Sequence, residues 1–264
     1  MQQSLKRFTR TILLTLLAAL PLARPAHARE ILAVGAEFAS VYERSGDGEF
    51  TGLGVDILRA IALRTGDTIR FEMYPWARAQ LMVEQNQADI LIGPYKTRER
   101  ESRFSFAARG FYRDYMVFYA RNTNSVGGSK GNKDQWDGNY QNLRGRKIVV
   151  VNGWTYGPRF ESIRNMLQPE VANSLANALN MLQAGRIDYL ASNLRNTEAL
   201  LKANGLGAQF SMLDPVLDTQ DGYLAYCKKS GCDELRKQFD QVFEHLRASG
   251  ELAKMGHGHN VVIP

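Results

Sequence analysis

Beyond residue 28 this chain has no apolar run long enough to cross a bilayer as a helix, which excludes a helical membrane span from the bulk of it. Cysteine is scarce: Cys227 and Cys232, in C-K-K-S-G-C, are the only two. Histidine is scarce as well, and His257-Gly258-His259 offers two ligands without the third and fourth that a metal site needs. No G-x-S-x-G, H-E-x-x-H or Walker loop is present. Those absences leave no catalytic residue, no metal and no cofactor to expect. Excess charge is also lacking once the leader is set aside. The formal net charge is +6, but Lys6, Arg7, Arg10 and Arg24 lie in the first 28 residues with no acid beside them, so about +2 remains. A balance so near neutral gives no electrostatic footprint for nucleic acid.

The leader itself is well marked. Lys6, Arg7 and Arg10 precede an apolar stretch from Ile12 to Leu22, and Ala26-His27-Ala28 is an A-x-A site. This pattern predicts a signal peptide over residues 1–28, cleaved after Ala28, and a periplasmic destination. No cysteine follows the apolar stretch, so no lipid tether is expected. About 236 residues then remain, enough for one large or two modest domains. In an oxidising compartment Cys227 and Cys232, closing a short Gly-containing turn, read as a disulfide, with a metal or redox pair as the alternative.

Secondary-structure patterning alternates. Ile31–Gly35 reads as a strand, with Glu37 just past its end. Gly54–Gly66 reads as a helix with Ile57, Ala60, Ile61 and Leu63 inward, and Ile69–Tyr74 as a strand. A helix opens at Trp76, with Ala79, Leu81, Met82 and Val83 apolar and Gln80 on the wet side. Ile90–Ile92 is then a buried strand stopped by Gly93-Pro94. The β-α-β-α-β order implies a parallel sheet. Tyr115–Tyr119 is a further strand, and residues 122–142 form a polar loop leading into a second unit. That unit repeats the pattern: strand 147–151, a turn with Pro158, helix 159–167, helix 173–184, strand 187–191 and helix 196–204. Leu213–Gly222 reads as a connector before strand 223–226, and Asp233–Ser249 as an amphipathic closing helix. The fold class is α/β, two similar units around a cleft.

The stretch W-A-R-A-Q-L-M-V-E-Q-N-Q-A-D-I-L-I-G-P-Y-K-T-R-E-R, from Trp76 to Arg100, organises the rest. A strand ending in a turn and a Thr/Arg-rich segment places donors and a cation where open α/β sheets bind ligands. A solvated basic turn is the bland alternative for its arginines. The stretch resembles the central motif of the family 3 extracellular solute-binding proteins, the receptors of amino-acid-type ABC importers. G-L-G-V-D-I-L-R-A-I-A, L-R-G-R-K-I-V-V-V-N-G-W-T-Y, G-R-I-D-Y-L-A-S-N and L-R-A-S-G-E-L-A-K-M are similar to its other motifs.

The resemblance implies a two-lobed periplasmic binding protein fold with two hinge crossovers. Its expected boundaries are residues 29–120 and 222–264 for lobe one and residues 121–221 for lobe two. It implies that Trp76 stacks on a ligand, that Arg100 grips a carboxylate and that Thr155 lies in a loop whose amides face the same anion. Tyr95 and Lys96, at the strand end, join them in the cleft. Asn193 stands where the family has an acid for an α-ammonium, which fits a carboxylate ligand without one, or a ligand whose amine is met by Glu37. The implied function is capture of a small polar solute, amino-acid-like or a carboxylate, by a monomer that delivers it to an inner-membrane ABC permease. A ligand-sensing partner of a membrane receptor, and a dehydratase on the same fold, are the alternatives.

Overall fold

The computed structural model describes residues 28–122 and 136–264. Nearly all of the leader and most of the 122–142 loop lie outside the described residues. The chain order is β1 (Glu30–Gly35), β2 (Glu43–Arg44), β3 (Phe50–Thr51), α1 (Leu53–Thr65), β4 (Thr68–Met73), α2 (Trp76–Glu84), β5 (Ile90–Tyr95), α3 (Arg98–Arg103), β6 (Ser105–Phe106) and β7 (Tyr112–Arg121). It continues through β8 (Ile148–Val151), α4 (Pro158–Leu167), β9 (Glu170–Ala172), α5 (Leu175–Gln183), β10 (Tyr189–Asn193), α6 (Leu194–Ala203), β11 (Phe210–Tyr226), α7 (Cys232–Ala248) and α8 (Glu251–Gly258). Among the described residues no helix is long and apolar enough to cross a membrane.

One sheet carries both units, in the strand order β4-β1-β5-β11-β7-β10-β8-β9, with β6 pairing β11 off that path. β4, β1 and β5 run parallel, as do β10, β8 and β9. The two parallel sets are joined by the antiparallel pair β7 and β11. β7 and β11 are the two crossovers, and the expected lobe boundaries at 120/121 and 221/222 fall inside them.

Helix α1 buries Leu53, Val55, Ile57, Leu58, Ile61 and Ala62, whereas Leu63, read as inward, is 84% exposed. The 3.6-residue period places Leu58 rather than Leu63 on the face of Ile61. Helix α7 buries Leu235, Phe239, Phe243 and Leu246 along one stripe, as its periodicity predicts. Asp89 lies just before β5 and is structural: its carboxylate accepts from the Leu32 amide at 2.9 Å and lies 2.9 Å from Lys229 Nζ. Cys227 and Cys232 are bonded, their Cα atoms 5.7 Å apart, so neither sulfur is a free thiolate for the metal alternative.

Two expected stops are not stops. β5 continues through Gly93-Pro94 to Tyr95. β1 pairs β5 only as far as Leu91, so Pro94 forfeits no bond on that side, and on the other side the β11 register shifts between Gly222 and Leu224. Gly93 has φ +86°, and its carbonyl accepts from Tyr112 Oη at 2.7 Å. The expected connector 213–222 belongs to the 17-residue β11. A register shift between Leu213 and Asp218 absorbs Pro215, which has no N–H to give the ladder.

At Gly222 the ring of Tyr112 lies where a side chain would begin: an added Cβ would sit 1.9 Å from Tyr112 Cε1. Gly222→Ala is therefore expected to cost about 3 kcal/mol, the upper end of overpacking penalties, in a urea unfolding titration. A cost below about 0.5 kcal/mol would show that the crossover pair is loosely packed here.

Candidate functional site

Lobe one brings two groups to the seam between the parallel sets. Pro75 precedes α2 and sets Trp76 at the first helical position. Thr97 caps α3, its Oγ1 accepting from the Arg100 amide at 3.2 Å, and this turn aims Arg100 back across the end of β5. Arg100 is only 5% exposed. Its Nη1 donates to the Tyr95 carbonyl and its Nη2 to the Gly153 carbonyl, each at 2.9 Å. Trp76 Nε1 donates to the same Gly153 oxygen at 3.0 Å, and the Arg100 guanidinium lies 5.6 Å over the indole. Burial pulls the Arg100 pKa below its ordinary value. No ion pair answers it among the described residues.

Lobe two meets these groups with the loop after β8. Gly153 has φ +74°, and a Cβ there would approach Trp76 Cδ1 to 3.1 Å, so glycine permits the close approach. Phe38 packs edge-on against Trp76 at 5.6 Å and stacks on Trp154 at 6.3 Å. Thr155 is half-buried and makes no hydrogen bond among the described residues. The next amide, Tyr156 N, is already taken by Glu161 at 3.0 Å. Gln80, read as wet, is 6% exposed because its side chain faces this loop, and Leu81 is the exposed neighbour.

A second cluster lies at the phenol end of Tyr95. Asn193 Nδ2 donates to Tyr95 Oη at 2.8 Å, and Tyr95 donates to Asp114 at 3.0 Å. Arg195 holds Asp114 with both Nε, at 3.0 Å, and Nη2, at 2.6 Å. Their side chains are 16% and 3% exposed, a buried bidentate ion pair joining α6 to β7. Burial and the neighbouring Asp114 hold Tyr95 well above the ordinary phenol range, so its hydroxyl keeps its proton. Asn193 also caps α6, its Oδ1 accepting from the Asn196 amide at 2.9 Å. Asn196 Oδ1 in turn accepts from the Ala39 amide of lobe one at 2.9 Å.

Of the residues expected in the cleft, Trp76, Tyr95, Arg100 and Asn193 are thus linked by direct contacts, with Thr155 two residues beyond Gly153. Lys96 faces elsewhere: its ammonium lies 3.2 Å from Glu101 and under 6 Å from the rings of Phe106 and Tyr223. Glu37 is exposed, beside Phe38, with no partner among the described residues. Sequence reasoning missed Phe38, Gly153, Trp154, Asp114, Arg195 and Asn196. Asp114 had a visible signal, a lone acid inside the aromatic run Y-R-D-Y-M-V-F-Y. Arg195 had none.

Two parallel three-stranded sets joined by a crossover pair, with polar side chains meeting across the seam, define the class of two-lobed binding proteins. The chain belongs to the bacterial extracellular solute-binding proteins, family 3, which its residues 32–259 match. Among solved structures it is similar to a histidine kinase sensor domain described as similar to periplasmic binding proteins, with TM-score 0.74 and 21% identity over 90% of this chain and 99% of the other. It is also similar to a substrate-binding protein of an ABC uptake transporter from Streptococcus pneumoniae with bound histidine, with TM-score 0.71 and 17% identity over 87% and 91%. An ancestral arginine-binding protein bound to arginine gives TM-score 0.70 and 18% identity over 87% and 97%. At such identities the likeness shows the fold. No curated protein matches the sequence.

The two seam arginines make opposite predictions. Arg100→Met removes a buried cation that has no anion and should raise unfolding stability by about 1 kcal/mol. Arg195→Met strands Asp114 and should lower it by about 3–5 kcal/mol. Urea titrations of both variants check this, and equal losses would refute the contrast.

Proposed function

We propose that this protein captures a small carboxylate between its lobes, with Arg100 as the group that binds the anion. The observation that carries the reading is the Arg100 guanidinium: buried, without an ion pair among the described residues, and answered only by two neutral carbonyls, one from each lobe. A buried cation in that condition is completed by an anion. Trp76 would pack against the bound solute, and Thr155, with hydrogen-bonding groups free, would face it from lobe two.

The α-ammonium of an ordinary amino acid is less well provided for. Asn193 is neutral and already engaged by Tyr95 and Asn196, and Asp114 is committed to Arg195. The similar structures named with histidine and arginine bind α-amino acids. Here a carboxylate without an ammonium fits better, or one whose amine reaches Glu37. Lobe one would comprise residues 29–120 and 222–264, and lobe two residues 121–221. Leader cleavage after Ala28, a periplasmic monomer without enzymatic activity, and delivery to an inner-membrane ABC permease complete the proposal. Solute bridging both lobes would favour the closed form by its preference for closed over open.

A thermal-shift panel of amino acids, polyamines and small carboxylates tests it. A solute at a hundred times its Kd should stabilise the protein by about 2.7 kcal/mol, and Arg100→Met should abolish that shift. Stabilisation by polyamines alone, or a carboxylate shift that survives in Arg100→Met, would overturn the reading.

A further inference from the structure

Among the described residues three buried side-chain polar atoms have no partner: Arg195 Nη1, Asn196 Nδ2 and Tyr226 Oη. Tyr226 belongs to the lobe-one core, against Phe239. The other two are consecutive residues at the start of α6, where the lobes meet. Each side chain is otherwise firmly held. Arg195 spends Nε and Nη2 on Asp114, and Asn196, 8% exposed, spends Oδ1 on the Ala39 amide of lobe one. Neither has freedom to turn its remaining donor toward water without breaking those bonds. Native proteins rarely bury donors unanswered, and both of these groups can only donate. What completes them is an acceptor.

The charge balance narrows that acceptor. Arg195 and Asp114 cancel at this end of the seam, whereas Arg100 at the other end has no anion. A second carboxylate at Arg195 would face Asp114 with no cation left over, and an ammonium would face two donors. An uncharged oxygen fits. We infer that the solute is a monocarboxylate bearing a second, uncharged acceptor such as a ketone, amide or hydroxyl oxygen, which Arg195 Nη1 and Asn196 Nδ2 bind while Arg100 takes the carboxylate. This rests on the carboxylate reading above. The spacing follows from Tyr95, which touches Arg100 through its carbonyl and the Asp114–Arg195 pair through its hydroxyl. The two binding points thus lie at opposite ends of Tyr95, with a further contact at each end, and only an extended chain reaches both.

Calorimetric titration with matched pairs of such acids tests the inference: hexanoate against 5-oxohexanoate, with the five- and seven-carbon pairs, and adipate as the dianion. The protein should bind the oxo acid about tenfold more tightly than its parent, the effect of one hydrogen bond to a charged donor, and adipate no better than hexanoate. Asn196→Asp keeps the Oδ1 that accepts from Ala39 but puts a carboxylate oxygen where the neutral donor stood, which would take up Arg195 Nη1 and repel the solute oxygen, so the preference should fall to near unity. If the acids bind with equal affinity, or adipate binds best, the second site is refuted while the carboxylate reading stands. If no carboxylate binds, both fail. The wild-type ratio decides the matter even where Asn196→Asp does not fold.

Discussion

Everything at the seam turns on one oxygen. The Gly153 carbonyl accepts from Trp76 and from Arg100, two donors of the opposite lobe, and among the described residues no other atom joins the lobes through two such bonds. It can do so because residue 153 has no Cβ and sits at positive φ, which lets the loop after β8 come within contact of the indole. The same bond leaves Arg100 short of charge. A carbonyl is a neutral acceptor, and a buried guanidinium gains more from a carboxylate. A solute anion would therefore compete with Gly153 for Nη2, and its binding energy would be the difference between the two bonds, not the whole of the new one.

That competition sets how closure could be coupled to solute. β7 and β11 run unbroken between the parallel sets, so the lobes share a sheet rather than a flexible linker, and motion between them must be absorbed by those two strands. The β11 register shift around Pro215 and the tight Tyr112–Gly222 contact lie on this path. A ligand moves such an equilibrium only by its differential affinity for the two arrangements. Protein contacts that already hold the lobes, such as Ala39 to Asn196 and Tyr95 to Asn193, lower the share of closure that a solute must supply.

How much of this could be read from sequence follows from the range of the interactions. Most strands and helices were legible because period and caps are local, whereas Trp76 and Arg100 were singled out by the resemblance of the motif around them. Gly93-Pro94 and Asp214-Pro215 misled because proline and glycine break strands by default, and only the neighbouring strands' registers show where a missing N–H costs nothing. Leu63 misled for a smaller reason, one residue of helical phase. Lys96 follows Tyr95 in sequence, yet its ammonium goes to Glu101 while the Tyr95 hydroxyl meets Asp114. The Asp114–Arg195 pair joins residues 81 apart, and nothing local announces a contact that only the assembled sheet creates.

That pair also gives a reason for the asparagine at 193. Tyr95 Oη accepts a hydrogen bond from Asn193 Nδ2 and donates one to Asp114, a chain with a single direction. An aspartate at 193 would have no proton to give, and it would place a second buried carboxylate on the phenol that already serves Asp114. Like charges so close cannot both stay ionised without a cation between them. With Asp114 spoken for by Arg195, the neutral amide satisfies both Tyr95 and the α6 N-terminus at no electrostatic cost. The amide at 193 and the acid at 114 are thus one arrangement, in which the buried negative charge sits on the crossover strand beside its own cation.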